Sequence, residues 1–250
     1  MAGHSKWSKI KRKKGANDTA RSKVFSRLVK EITVAAREGG GDPTGNARLR
    51  TAIDAAKADN LPANNIDKAI KRGTGEIPGV VYEEVTFEGY GPGGVAILVQ
   101  ATTDNRRRTV PEMRKIFEKA GGNMGEPGSV AWMFKQAGLF VVDASTIEED
   151  DLLMVALDAG ADDVSTQGDV YEILAPPNEF HVVSQALDAA SVELMSRDLA
   201  MLPQSTIGLE GREAERCIRL MESLDDHDDV QNVWTNADIS EEVAEQAAAG

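Results

Sequence analysis

Glycine and proline cut this chain into short pieces, and the spacing of its apolar residues changes once along it. Gly39-Gly40-Gly41-Asp42-Pro43, Leu61-Pro62 and Gly73 punctuate the first part. Between them, apolar residues recur at three- and four-residue steps, the signature of helices with one buried face. The first helix is expected from Asp18 or Thr19 to about Arg37, with Val24, Phe25, Leu28, Ile32, Ala35 and Ala36 inward. A second runs from about Asn46 to Asp59 on Leu49, Ala52, Ile53 and Ala56, and a third over Ala63–Lys71 on Ile66 and Ile70. Three short helices joined by short loops make a small bundle.

After the linker at 74–80 the period becomes that of strands. Val81–Glu88 and Val95–Thr103 are rich in β-branched residues and flank Gly89-Tyr90-Gly91-Pro92-Gly93-Gly94, which predicts a hairpin. A helix over Thr109–Lys119, with Val110, Met113, Ile116 and Phe117 apolar, and a strand over Ser129–Phe134 follow. Next come a strand at Leu139–Val142, a helix at Glu148–Leu157, strands at Val164–Gln167 and Val170–Ala175, a helix at Asn178–Ala189 and a strand at Val192–Arg197. That order, β-α-β-β-α-β, is the split βαβ of ferredoxin-like domains. A helix over Glu210–Leu224 and a strand over Val230–Thr235 then supply what the β-β-α-β run of 81–134 lacks; the alternative is two consecutive domains with the last helix packing separately. The expected fold is therefore α+β: an N-terminal three-helix bundle followed by two ferredoxin-like α/β domains, one inserted in the other. The divisions are a basic arm and bundle at 1–76, a discontinuous domain at 77–134 plus 206–240, an inserted domain at 135–205, and a disordered tail at 241–250.

Charge is as unevenly placed as the period. The chain carries 28 Lys+Arg against 41 Asp+Glu, a net of −13, which by itself argues against a polyanion partner. Residues 1–76 are net +9 and residues 77–250 net −22, an asymmetry that marks one end for nucleic acid or membrane. The arm concentrates the effect: Lys6, Lys9, Lys11, Arg12, Lys13 and Lys14 fall within nine residues, with His4 beside them and Trp7 among them. Such charges neutralise phosphates, and an indole stacks on exposed bases. Arg21, Lys23, Arg27 and Lys30 are expected to continue the patch along the first helix. Arg106, Arg107 and Arg108 form a second cluster, on a loop between a strand and a helix start, where a cation opposes the helix dipole and an arginine suits phosphate.

Other chemistries find little support. The 41% hydrophobic content fills a core, yet the longest apolar stretch, around Val95–Val99, is far short of the ~20 residues of a membrane helix. A lone Cys217 excludes an intramolecular disulfide and multi-cysteine metal sites, and it reads as a buried structural thiol. The Gly89, Gly91, Gly94 spacing matches G-x-G-x-x-G, but a strand rather than a helix should follow it, so a dinucleotide loop is not expected. His4, His181 and His227 show no metal-ligand spacing, and the Asp225–Asp229 run around His227 reads as a solvated loop. No cofactor and no metal are expected. Sheet aromatics for base stacking are lacking, and the start has no apolar stretch of a secretory signal.

Several stretches closely resemble the YebC/PmpR family. They are Met-Ala-Gly-His-Ser-Lys-Trp at 1–7, the Gly39–Pro43 turn, Glu88 through Gly94, Thr103-Asp104-Asn105-Arg106 with Arg108-Thr109, Gly128-Ser129-Val130-Ala131, and Asp228 through Val233. They keep the family's order over nearly the whole chain. Trp132 stands where a tyrosine is common, and the arm is richer in lysine than in many relatives. The resemblance implies three domains and a cytoplasmic, non-enzymatic protein of a family described both as DNA-binding transcriptional regulators and as ribosome-associated translation factors. With His-Ser-Lys-Trp beginning at residue 4, a presequence is not expected. The partner is expected to be nucleic acid, either DNA or ribosomal RNA on the ribosome itself. No membrane partner is expected, and a monomer is favoured. The rivals are a nucleotide-dependent enzyme using the Gly89–Gly94 loop and a protein-interaction scaffold with an electrostatic tail.

Overall fold

The computed structural model describes residues 18–240 and residue 243. The arm at 1–17 and nearly all of the tail lie outside the described residues.

Helix α1 spans Asp18–Gly39, α2 Ala47–Ala58 and α3 Ala63–Gly73. Gly40 ends the first with φ +86°, a left-handed conformation in which a side chain would be strained. Asn46 then does two jobs. Its side-chain oxygen caps α2 by accepting from the Leu49 N–H at 3.0 Å, and its amide donates to Ala35 and Gly40 carbonyls at 2.8 Å each. The three helices bury Ile32, Leu49, Ala52, Ala56, Leu61 and Ala69 among themselves.

Strands β1 (Glu83–Tyr90) and β2 (Ala96–Thr103) form the expected antiparallel hairpin. Helix α4 covers Arg106–Lys119 and β3 is the two-residue Asn123–Met124. Strand β4 runs Phe134–Asp143, α5 Glu149–Asp158, β5 Asp163–Gln167, β6 Val170–Ala175, α6 Phe180–Ala189 and β7 Leu194–Pro203. Strand β8 is Ile207–Leu209, α7 Gly211–Asp225, β9 Val230–Thr235 and β10 Ala237–Ile239.

Two four-stranded antiparallel sheets result. The order β5-β6-β4-β7 is the one a β-α-β-β-α-β run produces. Its helices cover Phe140, Val142, Ile173, Val183 and Leu187, with Phe140 and Phe180 stacked at 4.9 Å. The other sheet, β3-β1-β2-β9, takes strands from both sides of the first in sequence. Helices α4 and α7 bury Phe117, Ile218, Leu220 and Val99 on one of its faces. Its likeness to a ferredoxin-like layer is one of architecture; the β1–β2 hairpin occupies its centre, so the connectivity differs. On the opposite face Leu98 and Trp234 meet Val130 and Phe134.

Four details depart from the sequence pattern. Helix α4 begins three residues early, because Asn105 caps it by accepting from the Arg108 N–H. The strand expected at Ser129–Phe134 is absent: a single 3₁₀ turn covers Ala131–Met133, and Phe134 starts a β4 that continues unbroken through Leu139–Val142. The reason is that Glu88 takes the N–H groups of Gly128, Val130 and Ala131, while those of Ser129 and Met133 bond to the nearby Glu126 and Val130 carbonyls, which curls the segment into turns. Strand β7 extends to Pro203 because its pairing with β4 reaches Phe134. The parallel β8–β10 pair, three residues a side, had no periodicity to announce it.

Candidate nucleic-acid interface

His4, Lys6, Trp7, Lys9, Lys11, Arg12, Lys13 and Lys14 lie outside the described residues. Of the α1 cations, Arg21 is exposed, 5.4 Å above the Phe25 ring. The others are each engaged by a carboxylate in this structure. Lys23 binds Asp226 at 3.0 Å, Arg27 binds Asp225 at 3.1 Å and its carbonyl, and Lys30 binds Asp229 at 3.0 Å. Lys30 also donates to the carbonyls of Asp228 and Thr102. The three lie on one helix face at steps of four and three. Opposing them is the acidic run after α7, which is therefore a counter-charge for α1 rather than only a solvated loop.

Asp229 is the centre of this joint. Its side chain is 4% exposed and accepts from Lys30, from Arg108 at 2.5 Å and from Thr109 at 2.8 Å. Burial alone would raise its pKa, but the bonds from Arg108, Lys30 and Thr109 outweigh it and bring the carboxyl down to about 2. Arg108 is thereby also engaged, with Asp104 at 3.1 Å as a further partner. His227 accepts from the Asp229 N–H through Nδ1, which leaves its proton on Nε2 facing Glu112 at 3.0 Å. His181 sits 3.2 Å from Gln185.

Arg106 and Arg107 are different. Both are exposed on the first turn of α4. With Glu83, Asp104, Asn105, Val110 and Pro111 they line an open hollow of about 620 Å³. Backbone N–H groups and the helix dipole favour anions at such a turn.

The remaining candidates are structural. The Gly89–Gly94 loop opens strand β2, not a helix, so no dipole faces a pyrophosphate. A Cβ on Gly89 would lie 2.6 Å from the Asn123 carbonyl and 2.7 Å from the Phe117 ring; packing explains that glycine. Among the described residues no group of three or more His, Cys, Asp or Glu could hold a metal. None of the described helices is long and apolar enough to cross a membrane. Burial pushes the Cys217 thiol up to about 12. Native protein is therefore expected to resist maleimide labelling, while unfolded protein labels rapidly; fast labelling of the native state would show the thiol to be accessible.

Residues 5–76 match the TACO1/YebC protein N-terminal domain, and residues 82–237 match the TACO1/YebC second and third domain. The chain belongs to the TACO1/YebC family. A "Probable transcriptional regulatory protein" of Desulfatibacillum aliphaticivorans is 55% identical to this TACO1/YebC chain over 242 residues, 97% of this chain and 98% of the relative. Another so named, DP2908 of Desulfotalea psychrophila, is 55% identical over 249 residues, 99% and 100% of the two chains. The crystal structure of a conserved hypothetical protein, Aq1575 from Aquifex aeolicus, superposes with a TM-score of 0.82 at 43% identity, covering 89% of this chain and 92% of that one. The α+β fold is thus that of the family.

The family stretches lie at joints of the structure. Glu88 binds the Gly128–Ala131 stretch, and Asp229 binds the Arg108-Thr109 stretch. Arg48, which no motif flagged, clamps Glu31 at 2.8 Å, Glu38 at 2.7 Å and Glu84 at 2.5 Å, tying the bundle to β1. Its side chain is one of several charges on α2, and only the fold distinguishes it from the others.

Proposed function

We propose that this chain is a non-enzymatic, nucleic-acid-binding regulator of gene expression that binds DNA, as its relatives' name of transcriptional regulatory protein suggests. The arm residues His4 through Lys14, with Arg21, would grip phosphates, and Arg106 and Arg107 would make a second contact. One observation carries the reading. Lys30 of α1 and Arg108 of α4 bind the same carboxylate, Asp229, so helix α1 and the Arg106–Arg108 turn, far apart in sequence, adjoin in space. The acidic remainder of the chain would repel bulk polyanion and confine contact to that region. The units that act are the bundle with its arm at 1–76, the discontinuous unit at 77–134 with 206–240, and the inserted unit at 135–205.

Structured RNA, on the ribosome, is the second reading. The observation that favours it is the shortness of α3, 11 residues, which limits its reach as a recognition helix.

Changing Lys11, Arg12, Lys13 and Lys14 to Ala is expected to weaken binding and to flatten its salt dependence by ~0.7–0.9 log units per lost phosphate contact. An unchanged slope would remove the arm from the interface. Arg106→Ala with Arg107→Ala is expected to weaken binding with no loss of melting temperature, since both side chains are exposed. Cross-linking in cells, with sequencing of the bound DNA and RNA, separates the two readings.

A further inference from the structure

The bundle and the sheet it rests on do not share an apolar core. The bundle's buried cluster and that of α4, α7 and the β3-β1-β2-β9 sheet are separate. What joins them is charge: Lys23, Arg27 and Lys30 on the acidic run at 225–229, Arg48 on Glu84, Arg37 on the Tyr82 carbonyl, and Lys30 over the Tyr82 ring at 5.6 Å. The connecting stretch from Gly75 to Tyr82 has no helix or strand, and Val80 and Val81 are 51% and 75% exposed. The Lys23–Asp226 pair has an exposed carboxylate and weakens with salt, whereas the Arg27 and Lys30 pairs are largely buried and yield only to a polyanion that replaces their carboxylates.

The cations of the joint are also spaced for one. Lys23, Arg27 and Lys30 lie on one helix face across seven residue steps, about 10 Å. A nucleic-acid duplex presents about six charges over that length, where the protein presents three carboxylates. We infer that the seam between α1 and residues 225–229 is a latch opened by nucleic acid. When it is closed, Asp225, Asp226 and Asp229 occupy the places of phosphates. Nucleic acid first meets the closed form, in which α1 and the Arg106–Arg108 turn adjoin; once it is bound, the bundle swings away on the 75–82 tether and gives Lys23, Arg27 and Lys30 to the phosphate backbone. This rests on the nucleic-acid reading above and adds its regulation: a binding face that is covered until the ligand uncovers it.

Two measurements test it. Donor and acceptor dyes at Lys57→Cys in α2 and Glu118→Cys in α4, both exposed, report the separation of bundle and sheet; Cys217 is buried and stays unlabelled. Energy transfer is expected to fall when a short DNA duplex or an RNA hairpin saturates the protein. Asp225→Asn with Asp226→Asn should lower transfer without ligand and tighten binding by at least about threefold, the scale for the exposed Asp226 pair alone, since the Asp225 pair is largely buried. Asp226→Asn alone, at a side chain 82% exposed, serves if the double variant does not fold. Second, Lys23→Cys with Asp226→Cys, bridged by a short bis-maleimide, should bind each probe more weakly than the same variant left unbridged. Unchanged transfer at saturation, or equal binding by bridged and unbridged protein, overturns the latch alone. Failure of the wild type to bind either probe at low salt overturns the nucleic-acid reading and the latch with it.

Discussion

Asp229→Ala is expected to cost about 3–5 kcal/mol, the range for removing one member of a buried, hydrogen-bonded ion pair, and to lower the melting temperature by about 10 °C. The carboxylate is almost wholly buried and is shared by Lys30, Arg108 and Thr109, on two different helices. Truncation leaves the Thr109 hydroxyl, itself fully buried, with fewer acceptors, and leaves two cations facing each other without the charge between them. Asp229→Asn keeps the shape but not the charge and should recover only part of the loss. The acid limb provides an independent check. The folded carboxyl sits at about 2, below the ~3.9 of an unfolded aspartate. A depressed pKa means the stabilisation is complete above about pH 4 and disappears as pH falls toward 2, a contribution of about 2–3 kcal/mol. Denaturant titrations at pH 7 and pH 3 should show a smaller acid loss in Asp229→Asn than in the wild type. Equal losses would assign the acid sensitivity to other carboxylates.

Glu88 supports a second large prediction. Its carboxylate is 6% exposed and takes three backbone N–H groups, Gly128 at 2.6 Å on one oxygen and Val130 and Ala131 at 2.7 Å on the other. Burial pushes its pKa up, but the three donors prevail and the net direction is down. Each buried donor left without an acceptor costs about 1–3 kcal/mol, so Glu88→Ala should lose at least about 3 kcal/mol. Glu88→Gln should fare little better, because an amide has one acceptor oxygen and would aim its NH₂ at an N–H. Amide hydrogen exchange at Gly128, Val130 and Ala131 should accelerate in both variants. A Glu88→Gln protein as stable as wild type would mean that water readily satisfies those groups.

The two carboxylates also show where the sequence could and could not be read. The helices of the bundle and the β-α-β-β-α-β run were legible because their apolar residues repeat with the local period. Leu49, Ala52, Ile53 and Ala56 lie inward as that period requires. The Ser129–Phe134 stretch departs from a strand because its apolar character is local, whereas the bonds from Gly128, Val130 and Ala131 go to Glu88, some 40 residues away. The candidate interface was legible in its residue types and not in their use. Lys23, Arg27 and Lys30 differ from Arg21 only in what stands opposite them, and the acidic run at 225–229 lies about 200 residues downstream. Arg106 and Arg107 could be separated from Arg108 only once the position of Asp229 was known.

The order of strands in the β3-β1-β2-β9 sheet sets a timetable for synthesis. The edge of β2 finds its partner in β9, which leaves the ribosome about 130 residues later. At about 5–20 residues per second that is roughly 6–26 seconds during which a hydrophobic hairpin edge has no neighbour. The intervening sheet has all its strands between Phe134 and Pro203 and can close within that interval. Nascent chains stalled before Val230 should therefore hold one finished sheet and one open edge, the state from which strand exchange and aggregation begin.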